Sequence, residues 1–326
     1  MSRQVRISIL VPCCNVEKYL VQCMDSILCQ TFTDLEIICL NDGSTDSTSE
    51  ILHGYAEKDS RVIVIDKPNS GYGATMNIGL EKATGKYLGI VESDDYIEKN
   101  MFETLYKAAE ENDLDLVRCL YIERNAVTGV DKVIDYSKNG GLYECNKVFC
   151  PKEQQKIFFI QPAIWAGLYR KDFLDNNAIR FLETPGASYQ DTSFAFKVYA
   201  KAERMMVLQE VLHNYRINSN SSVTSSGKVF FVCDENYEII RYAKEHGVYE
   251  TLKESMALRA FGSYKWNYNR LGSLKLKREF MKRWSADLKE CFKEKAITRR
   301  YFSRNRLFRV WLAANWPWLF YFIRKF

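Results

Sequence analysis

The stretch GKYLGIVESDD, residues 85–95, joins an apolar run directly to three carboxylates. The run YLGIV is typical of a strand buried on both faces, because it shows no polar alternation. Glu92, Asp94 and Asp95 follow it, although ionised carboxylates repel one another. One interpretation is local: Asp95 and Glu98 have the spacing of a capping box, ahead of the predicted helix YIEKNMFETLYKAAEEN. The other is chemical, because Glu92 and Asp94 alternate on one side of the strand end and suit a hard cation held by oxygen ligands.

Strands and helices alternate through the first half of the chain. The apolar runs RISILV, LEIICL, RVIVID and GKYLGIV are separated by segments that we predict to be helices. This order predicts an α/β fold, Rossmann-like, with a mostly parallel sheet covered by helices on both faces. In such sheets ligands bind at the carboxyl ends of the strands, where polar residues and glycines cluster in this sequence.

The composition is that of a globular protein, with 47% hydrophobic and 27% charged residues in a chain of 326. No long apolar segment precedes the first predicted strand at Ile7, so we expect no secretory signal. The ten cysteines include no CxxC pair. We therefore expect reduced thiols in a cytosolic protein rather than a structural zinc site.

Positive charge is concentrated toward the C-terminal end. Residues 270–326 hold 16 Lys/Arg and 4 Asp/Glu, a net charge of +12, whereas the whole chain carries +5. A basic segment of this kind indicates a polyanionic partner, either nucleic acid or an anionic membrane surface. We do not expect nucleic acid, because the aromatic residues look buried or clustered at the C-terminus rather than spread over a binding groove.

The last segment, RRYFSRNRLFRVWLAANWPWLFYFIRKF, combines arginines with aromatic residues. Pro317 interrupts its apolar part, so we do not expect a helix that spans a membrane. We predict that this tail lies on an inner leaflet, with packing on the catalytic domain or a second subunit as the alternative. The residues that carry the prediction are Trp311, Trp316, Trp318, Tyr321, Arg299, Arg300, Arg304 and Arg306.

Three segments together resemble family-2 glycosyltransferases of the GT-A fold, of the bacterial surface-polysaccharide type. They are ISILVPCCNVEKYLVQCMDSILCQTFTDLEIICLNDGSTDST, NSGYGATMNIGLEKATGKYLGIVESDD and SYQDTSFAFKVY. Together with the loop that follows them, they run from Ile7 to Ser222, roughly two-thirds of the chain. The resemblance implies a GT-A nucleotide-sugar domain over residues 1–225, and the pattern after Ser226 predicts a helical, basic, aromatic-rich region over residues 226–326. The reduced thiols and the basic, aromatic tail predict a cytoplasmic protein, peripheral on the inner face of the plasma membrane.

The resemblance implies a metal-assisted, inverting transfer from a UDP-sugar to a hydroxyl of a glycan or lipid-linked saccharide. Glu92-Ser93-Asp94 matches the family's D-x-D motif, in which Asp94 would ligate Mg²⁺ or Mn²⁺ and Glu92 would lie near the ribose. Asp191 matches the family's general base, and an N-cap role is its alternative reading. This chain has Gln190 before that Asp, where the family usually has Glu.

Other residues match the family's donor and acceptor contacts. Asp42 would accept a base N–H of uracil, or would be only a turn residue in NDGS. Trp165 would be a platform for a sugar ring, or a core residue. The remaining matches to nucleotide-sugar contacts are Pro12, Asn15, Asn77, Tyr215 and Arg216. The last two lie in HNYRINSNSSVTS, for which a solvated loop is the alternative.

Two other functions stay open at this point. A sugar-1-phosphate nucleotidyltransferase would carry a glycine-rich basic loop after the first strand, and VPCCNVEKY contains no glycine. A non-catalytic binding or assembly subunit is disfavoured because both Asp94 and Asp191 are present. The sequence is compatible with a homo-oligomer, and it does not define the donor sugar, the acceptor or the linkage.

Overall fold

The computed structural model describes residues 5–138, 141–217, 227–317 and 319. The chain divides into two compact units, Met1–Ser219 and Asn220–Phe326. The predicted domain boundary after residue 225 lies outside the described residues, as do Trp318 and Tyr321 of the tail.

The described part of the first unit contains a nine-stranded sheet. The strands are β1 (Ile7–Cys13), β2 (Leu35–Asp42), β3 (Val62–Lys67), β4 (Tyr87–Ile90), β5 (Tyr96–Ile97), β6 (Leu116–Asn125), β7 (Lys132–Ile134), β8 (Gly167–Arg170) and β9 (Met205–Ile217). Their order is β3-β2-β1-β4-β8-β6-β9-β5, with β7 beside β6. The β3-β2-β1-β4 block is parallel, and so is the β6–β9 pair. The remaining pairings are antiparallel.

Helices cover the sheet of the first unit, so every residue of β1 and β2 is buried. The helices of this unit are α1 (Glu17–Leu28), α2 (Thr48–Ala56), α3 (Tyr72–Lys82), α4 (Met101–Glu111), α5 (Lys171–Asn176) and α6 (Gln190–Lys201). The apolar runs predicted the four parallel strands at the start of the chain, and the predicted mostly parallel sheet is confirmed.

The helix after the acidic stretch begins later than the capping-box spacing predicted. Helix α4 starts at Met101 with Asn100 as its N-cap residue. Between it and the carboxylates, β5 pairs antiparallel with β9. The prediction that Asp95 caps this helix is therefore wrong, because pairing with a distant strand extends the chain at residues 96–97.

The second unit is helical in its described residues, as predicted. It contains α7 (Phe231–Glu245), α8 (Tyr249–Arg270), α9 (Leu274–Lys293) and α10 (Arg304–Asn315). Phe280, Trp284 and Leu288 of α9 recur every four residues and are buried. None of the helices in the described parts of the chain has the length and apolar character that crossing a membrane requires.

Gly73 of α3 allows a loop to approach the helix closely. A Cβ at this position would lie 2.1 Å from the carbonyl oxygen of Leu182. We expect Gly73→Ala to lower the free energy of unfolding by about 1–3 kcal/mol or more, because backbone must shift to admit the methyl group. Gly54→Ala in α2 is the matched control: nothing lies within 4 Å of its Cβ. It should raise stability by about 0.5–1 kcal/mol. Urea unfolding of both variants checks this, and a neutral Gly73→Ala would contradict the close approach.

Candidate active site

The carboxyl ends of β3, β2, β1 and β4 meet at one edge of the sheet, because these strands are parallel neighbours. Pro12 is the second-to-last residue of β1, and Asp42 is the last residue of β2. Glu92 and Asp94 follow β4 directly. The edge therefore brings together residues that are up to 82 positions apart in the sequence.

Glu92 is held by a tyrosine from the start of α3. The Tyr72 hydroxyl donates to Glu92 Oε1 at 2.6 Å. Burial is the main cause that raises the pKa of Glu92 to about 8. The hydrogen bond from Tyr72 opposes this shift, and the charges of Asp94, Asp95 and Asp191 add to it. The pKa of Glu92 is thus raised both by its burial and by the negative charges of three other carboxyl groups.

Asp94 lies close to the positive charge of Arg216. Burial, followed by the charge of Asp95, raises the pKa of Asp94 to about 6, whereas the charge of Arg216 lowers it. Arg216 Nε donates to the main-chain carbonyl of Asp94 at 2.8 Å, and Arg216 Nη2 donates to Gln22 Oε1 at 2.8 Å. The guanidinium also lies over the Tyr19 ring, 4.8 Å from its centroid. Arg216 is therefore fixed next to the acidic stretch.

Asp95 joins the acidic stretch to β9. Its side chain is fully buried, and its Oδ1 accepts the backbone N–H of Arg216 at 2.7 Å. Its Oδ2 lies 3.0 Å from Nε2 of His213, which is also fully buried. Asp95 thus anchors the strand that carries Tyr215 and Arg216.

Asp191 lies in the first turn of α6. The N-cap residue of this helix is Tyr189, which has φ 71°, so the N-cap reading of Asp191 is wrong. The negative charge of Asp191 contributes to the raised pKa values of Glu92 and Tyr215, which indicates that the three side chains are neighbours. The structure thus brings the predicted base to the same group of carboxyls as the D-x-D-like motif.

Gln190 organises the loop that leads into α6. Its Nε2 donates to Thr184 Oγ1 at 2.8 Å and to the Gly186 carbonyl at 3.1 Å. Its Oε1 accepts the Ser188 N–H at 2.5 Å. An ionised Glu has no donor for these two acceptors. The amide at this position, where the family usually has an acid, therefore has a structural reason: it closes the loop next to Asp191.

Tyr215 and Trp165 form part of an aromatic cluster beside the carboxyls. The Trp165 ring stacks on Tyr215 at 5.0 Å and on His213 at 4.2 Å, and Tyr121 meets it edge-on at 4.7 Å. Trp165 is only 6% exposed, which favours the core reading over a sugar platform. Burial raises the pKa of Tyr215 to about 12, followed by the charges of the four carboxylates at positions 95, 94, 191 and 92. The phenol of Tyr215 therefore lies within reach of the charges of all four acids.

Asp42 is already hydrogen-bonded within the chain. It pairs with Lys67 and accepts backbone N–H groups from Ser70 at 2.8 Å and Gly71 at 3.0 Å. Burial raises its pKa, but these hydrogen bonds and the Lys67 charge prevail and lower it. Asp42 is therefore a fixed anion at this edge, and its contact with a base stays a prediction.

The other predicted nucleotide-sugar contacts are placed as follows. Asn15 has φ 54°, and its Oδ1 accepts the Thr45 N–H at 2.7 Å across the edge. Asn77 exchanges hydrogen bonds with the Phe181 backbone, at 2.9 and 3.0 Å, so its amide holds the loop beyond α5 against α3. Ser93 and Pro12 are buried. Their roles toward a donor stay predictions.

A metal ion at this edge would need further ligands from outside the protein, in addition to the protein carboxylates. Among the described residues, no group of three His, Cys, Asp or Glu side chains is placed to hold a metal. Mg²⁺ commonly takes only one or two carboxylates and completes its shell with phosphate and water. Burial and then the charges of neighbouring carboxyls raise the pKa values of Glu92 and Asp94, and a cation would offset both effects, so the residues present fit a cation held in that way.

Sequence analysis missed Tyr72 and His213. Tyr72 lies between two glycines, a pattern that indicates close backbone approach. His213 and Tyr215 alternate along β9, so their side chains share one face of the sheet. That alternation was the available signal that His213 accompanies Tyr215.

Comparison with known proteins identifies the family. Residues 8–173 match the model of "Glycosyl transferase family 2". The chain belongs to this family. It is 35% identical to the uncharacterized glycosyltransferase EpsJ of Bacillus subtilis over 66% of this chain and 62% of EpsJ. It is 30% identical to the putative glycosyltransferase EpsH of the same organism, over 77% of this chain and 76% of EpsH. The chain thus spans less than two-thirds of the length of EpsJ.

A solved structure supports the same conclusion at the level of the fold. The crystal structure of S. aureus TarS 1–349 in complex with UDP-GlcNAc aligns with a TM-score of 0.72 at 20% identity. The alignment covers 94% of this chain and 87% of that chain. The family-2 resemblance and the predicted GT-A fold are both confirmed.

Proposed function

We propose that this protein is an inverting glycosyltransferase that moves a sugar from a UDP-sugar to a hydroxyl of a glycan or lipid-linked saccharide. One observation carries the proposal. Glu92, Asp94 and Asp95 follow β4 at the sheet edge where ligands bind in such folds, and Asp191 in the first turn of α6 is close enough for its charge to act on Glu92 and Tyr215. Family membership supports the reaction class, and the UDP-GlcNAc complex of TarS supports the donor class.

Asp191 is the general base of the proposed reaction. Its carboxylate takes the proton from the acceptor hydroxyl while that oxygen attacks the anomeric carbon and the bond to the leaving diphosphate breaks. Its position in the first turn of α6 favours the ionised form, because the helix N-terminus carries partial positive charge. Gln190 holds the preceding loop closed, which keeps Asp191 at the carboxyl cluster.

Asp94, with Glu92 beside it, would hold Mg²⁺ or Mn²⁺ together with the diphosphate of the donor. A divalent cation bound there neutralises charge that develops on the leaving diphosphate. Arg216 lies next to Asp94 and is held by Asp95. Its positive charge would therefore also stabilise the leaving diphosphate. Asp42, kept ionised by Lys67, is the proposed acceptor for a uracil N–H.

Calorimetric titration with nucleoside diphosphates tests the donor class. We expect the wild-type protein to bind UDP in the presence of Mn²⁺ more tightly than it binds GDP or ADP, because the proposed base contact at Asp42 requires an N–H placed as in uracil. Equal binding of the three nucleotides would contradict a UDP-sugar donor. An absence of binding to all of them would remove the glycosyltransferase proposal.

Tyr72→Phe tests the positioning of Glu92. The variant keeps the edge-on ring contact with Phe181 but loses the hydroxyl that donates to Glu92. We expect kcat/KM to fall about tenfold, the cost of one hydrogen bond to a carboxylate. Tyr55→Phe is the matched control, because its hydroxyl donates to Asp25 at 2.7 Å on an exposed surface. Equal activity of the two variants would show that the Tyr72 hydroxyl has no role in positioning.

A further inference from the structure

We propose that helices α9 and α10 present a docking surface for an anionic lipid bilayer. The surface consists of two rows of exposed side chains, an aromatic row on α10 and a cationic row on α9. The proposal does not depend on the donor or on the chemistry of the sheet edge. It concerns only the second unit, in the residues that the structure describes.

The aromatic row lies on the face of α10 that is turned away from the protein interior. Phe308 is 63% exposed and Trp311 is 43% exposed, and their rings stack with centroids 6.3 Å apart. Arg304 precedes Phe308 by one turn, so these three side chains form one row along the helix. Trp316, just beyond the helix, is 48% exposed. Large apolar side chains are thus stacked in solvent next to an arginine.

The opposite face of α10 is occupied by protein. Val310, Ala313 and Ala314 are fully buried. The Ser285 hydroxyl of α9 donates to the Ala314 carbonyl at 2.6 Å, which fixes α10 against α9. Packing on α9 of the same unit therefore occupies one face of α10 and leaves the aromatic row on the other face.

The cationic row runs along the exposed side of α9. Five exposed basic residues recur at helical spacing: Lys275, Arg278, Lys282, Lys289 and Lys293. Lys282 and Lys289 are the i−3 and i+4 neighbours of Ser285, the residue that contacts α10. The row therefore borders the seam between the two helices. Each helix buries another of its faces, so both rows are exposed to solvent.

The charge of this segment selects among possible partners. Residues 274–315 contain 13 Lys/Arg and four Asp/Glu, a net charge of +9. A second copy would bring two surfaces of the same sign together, which is repulsive. Nucleic acid would use the cationic row and leave the aromatic row without a role. An anionic bilayer uses both, because Trp and Phe settle at the headgroup boundary while Lys and Arg attract the anionic lipids.

Co-sedimentation of the full-length chain with vesicles tests the proposal. We expect it to pellet with vesicles of phosphatidylcholine mixed with phosphatidylglycerol, and not with phosphatidylcholine alone. Lys282→Gln with Lys289→Gln should lower partitioning by about 30-fold, since each cation contributes about 1 kcal/mol near such a surface. Phe308→Ser with Trp311→Ser should lower it by at least about tenfold, since both rings lose their apolar burial in the bilayer.

Matched variants on other surfaces provide the controls. Lys58→Gln with Lys107→Gln removes two exposed cations from the first unit, and Trp266→Ser removes an aromatic residue of α8 that is 56% exposed. These should pellet like the wild type. Circular dichroism of every variant checks the fold, and the lysine pair remains informative if the aromatic pair does not fold.

Several results would overturn the proposal. One is failure of the wild type to pellet with the anionic vesicles, and another is equal partitioning of the test and control variants. Binding to an RNA oligonucleotide that the lysine variant loses and the aromatic variant keeps, with no vesicle binding, would assign the cations to nucleic acid. A dimer in sedimentation equilibrium that Phe308→Ser with Trp311→Ser dissociates would assign the surface to a second copy.

Discussion

The Asp191→Asn variant should turn over ~10²–10⁴-fold more slowly than the wild type, with little change in the affinity for the donor. The amide keeps the shape of the side chain but cannot accept a proton from the acceptor hydroxyl. Asp191 lies at the start of α6 next to Glu92 and Tyr215, so its replacement leaves the core of the unit unchanged. Steady-state kinetics with titrated donor separate kcat from KM.

Asp172→Asn is the matched control for this variant. Asp172 also lies in the first turn of a helix, α5, where its Oδ1 accepts the Phe173 N–H at 2.7 Å. A change in turnover common to both variants would reflect a general effect of removing an acid from a helix N-terminus. Weakened UDP binding with normal turnover in Asp191→Asn would contradict the assignment of the base.

Asp94→Asn should lower turnover by about 10³-fold, because stabilisation of charge on a leaving diphosphate by a bound cation contributes several kcal/mol. A second readout does not involve activity. Mn²⁺ together with UDP should raise the melting temperature of the wild type and leave that of the variant unchanged. Full activity of Asp94→Asn, or undiminished wild-type activity in excess chelator, would contradict the proposed metal site.

Without metal, the same variant should be more stable than the wild type at pH 8. The pKa of Asp94 in the folded chain is raised from 3.8 to about 6. Ionisation of Asp94 therefore lowers the free energy of unfolding as the pH rises through this range, and the loss persists at pH 8. Asn carries no charge and avoids this loss. Asp46→Asn is a control of opposite sign. Burial raises the pKa of Asp46, but hydrogen bonds from Thr48 and the Glu17 backbone prevail and lower it. Its removal should therefore lower the melting temperature.

Local sequence patterns predicted the strands that carry the site, because a buried strand leaves an apolar run that can be read without its neighbours. The same patterns failed at Asp95. Its spacing to Glu98 fits a capping box, yet its partner is His213, 118 residues away. Two residues so far apart in the sequence meet because β5 pairs with β9, and no local sequence pattern indicates this contact.

The sequence predicted the site residues that directly follow strands, but not the contacts that form where two loops meet. Asp42, Glu92 and Asp94 follow apolar runs, so the parallel order of the sheet brings them to one edge. The contact of Tyr72 with Glu92 and the closed loop around Gln190 depend on how α3 meets the segment before α6. Trp165 shows the limit most clearly, since its neighbours His213 and Tyr215 come from a strand about 50 residues further along the chain.

The most direct test of the account is release of UDP from UDP-glucose, UDP-galactose and their N-acetyl forms by the purified full-length chain, with and without Mn²⁺. We predict that at least one of these donors is consumed, that consumption requires the divalent cation, and that Asp94→Asn slows it by about 10³-fold. If a folded protein consumes none of them, or if chelator and Asp94→Asn leave the rate unchanged, the proposed metal-assisted UDP-sugar transfer is contradicted and a non-catalytic binding role takes its place.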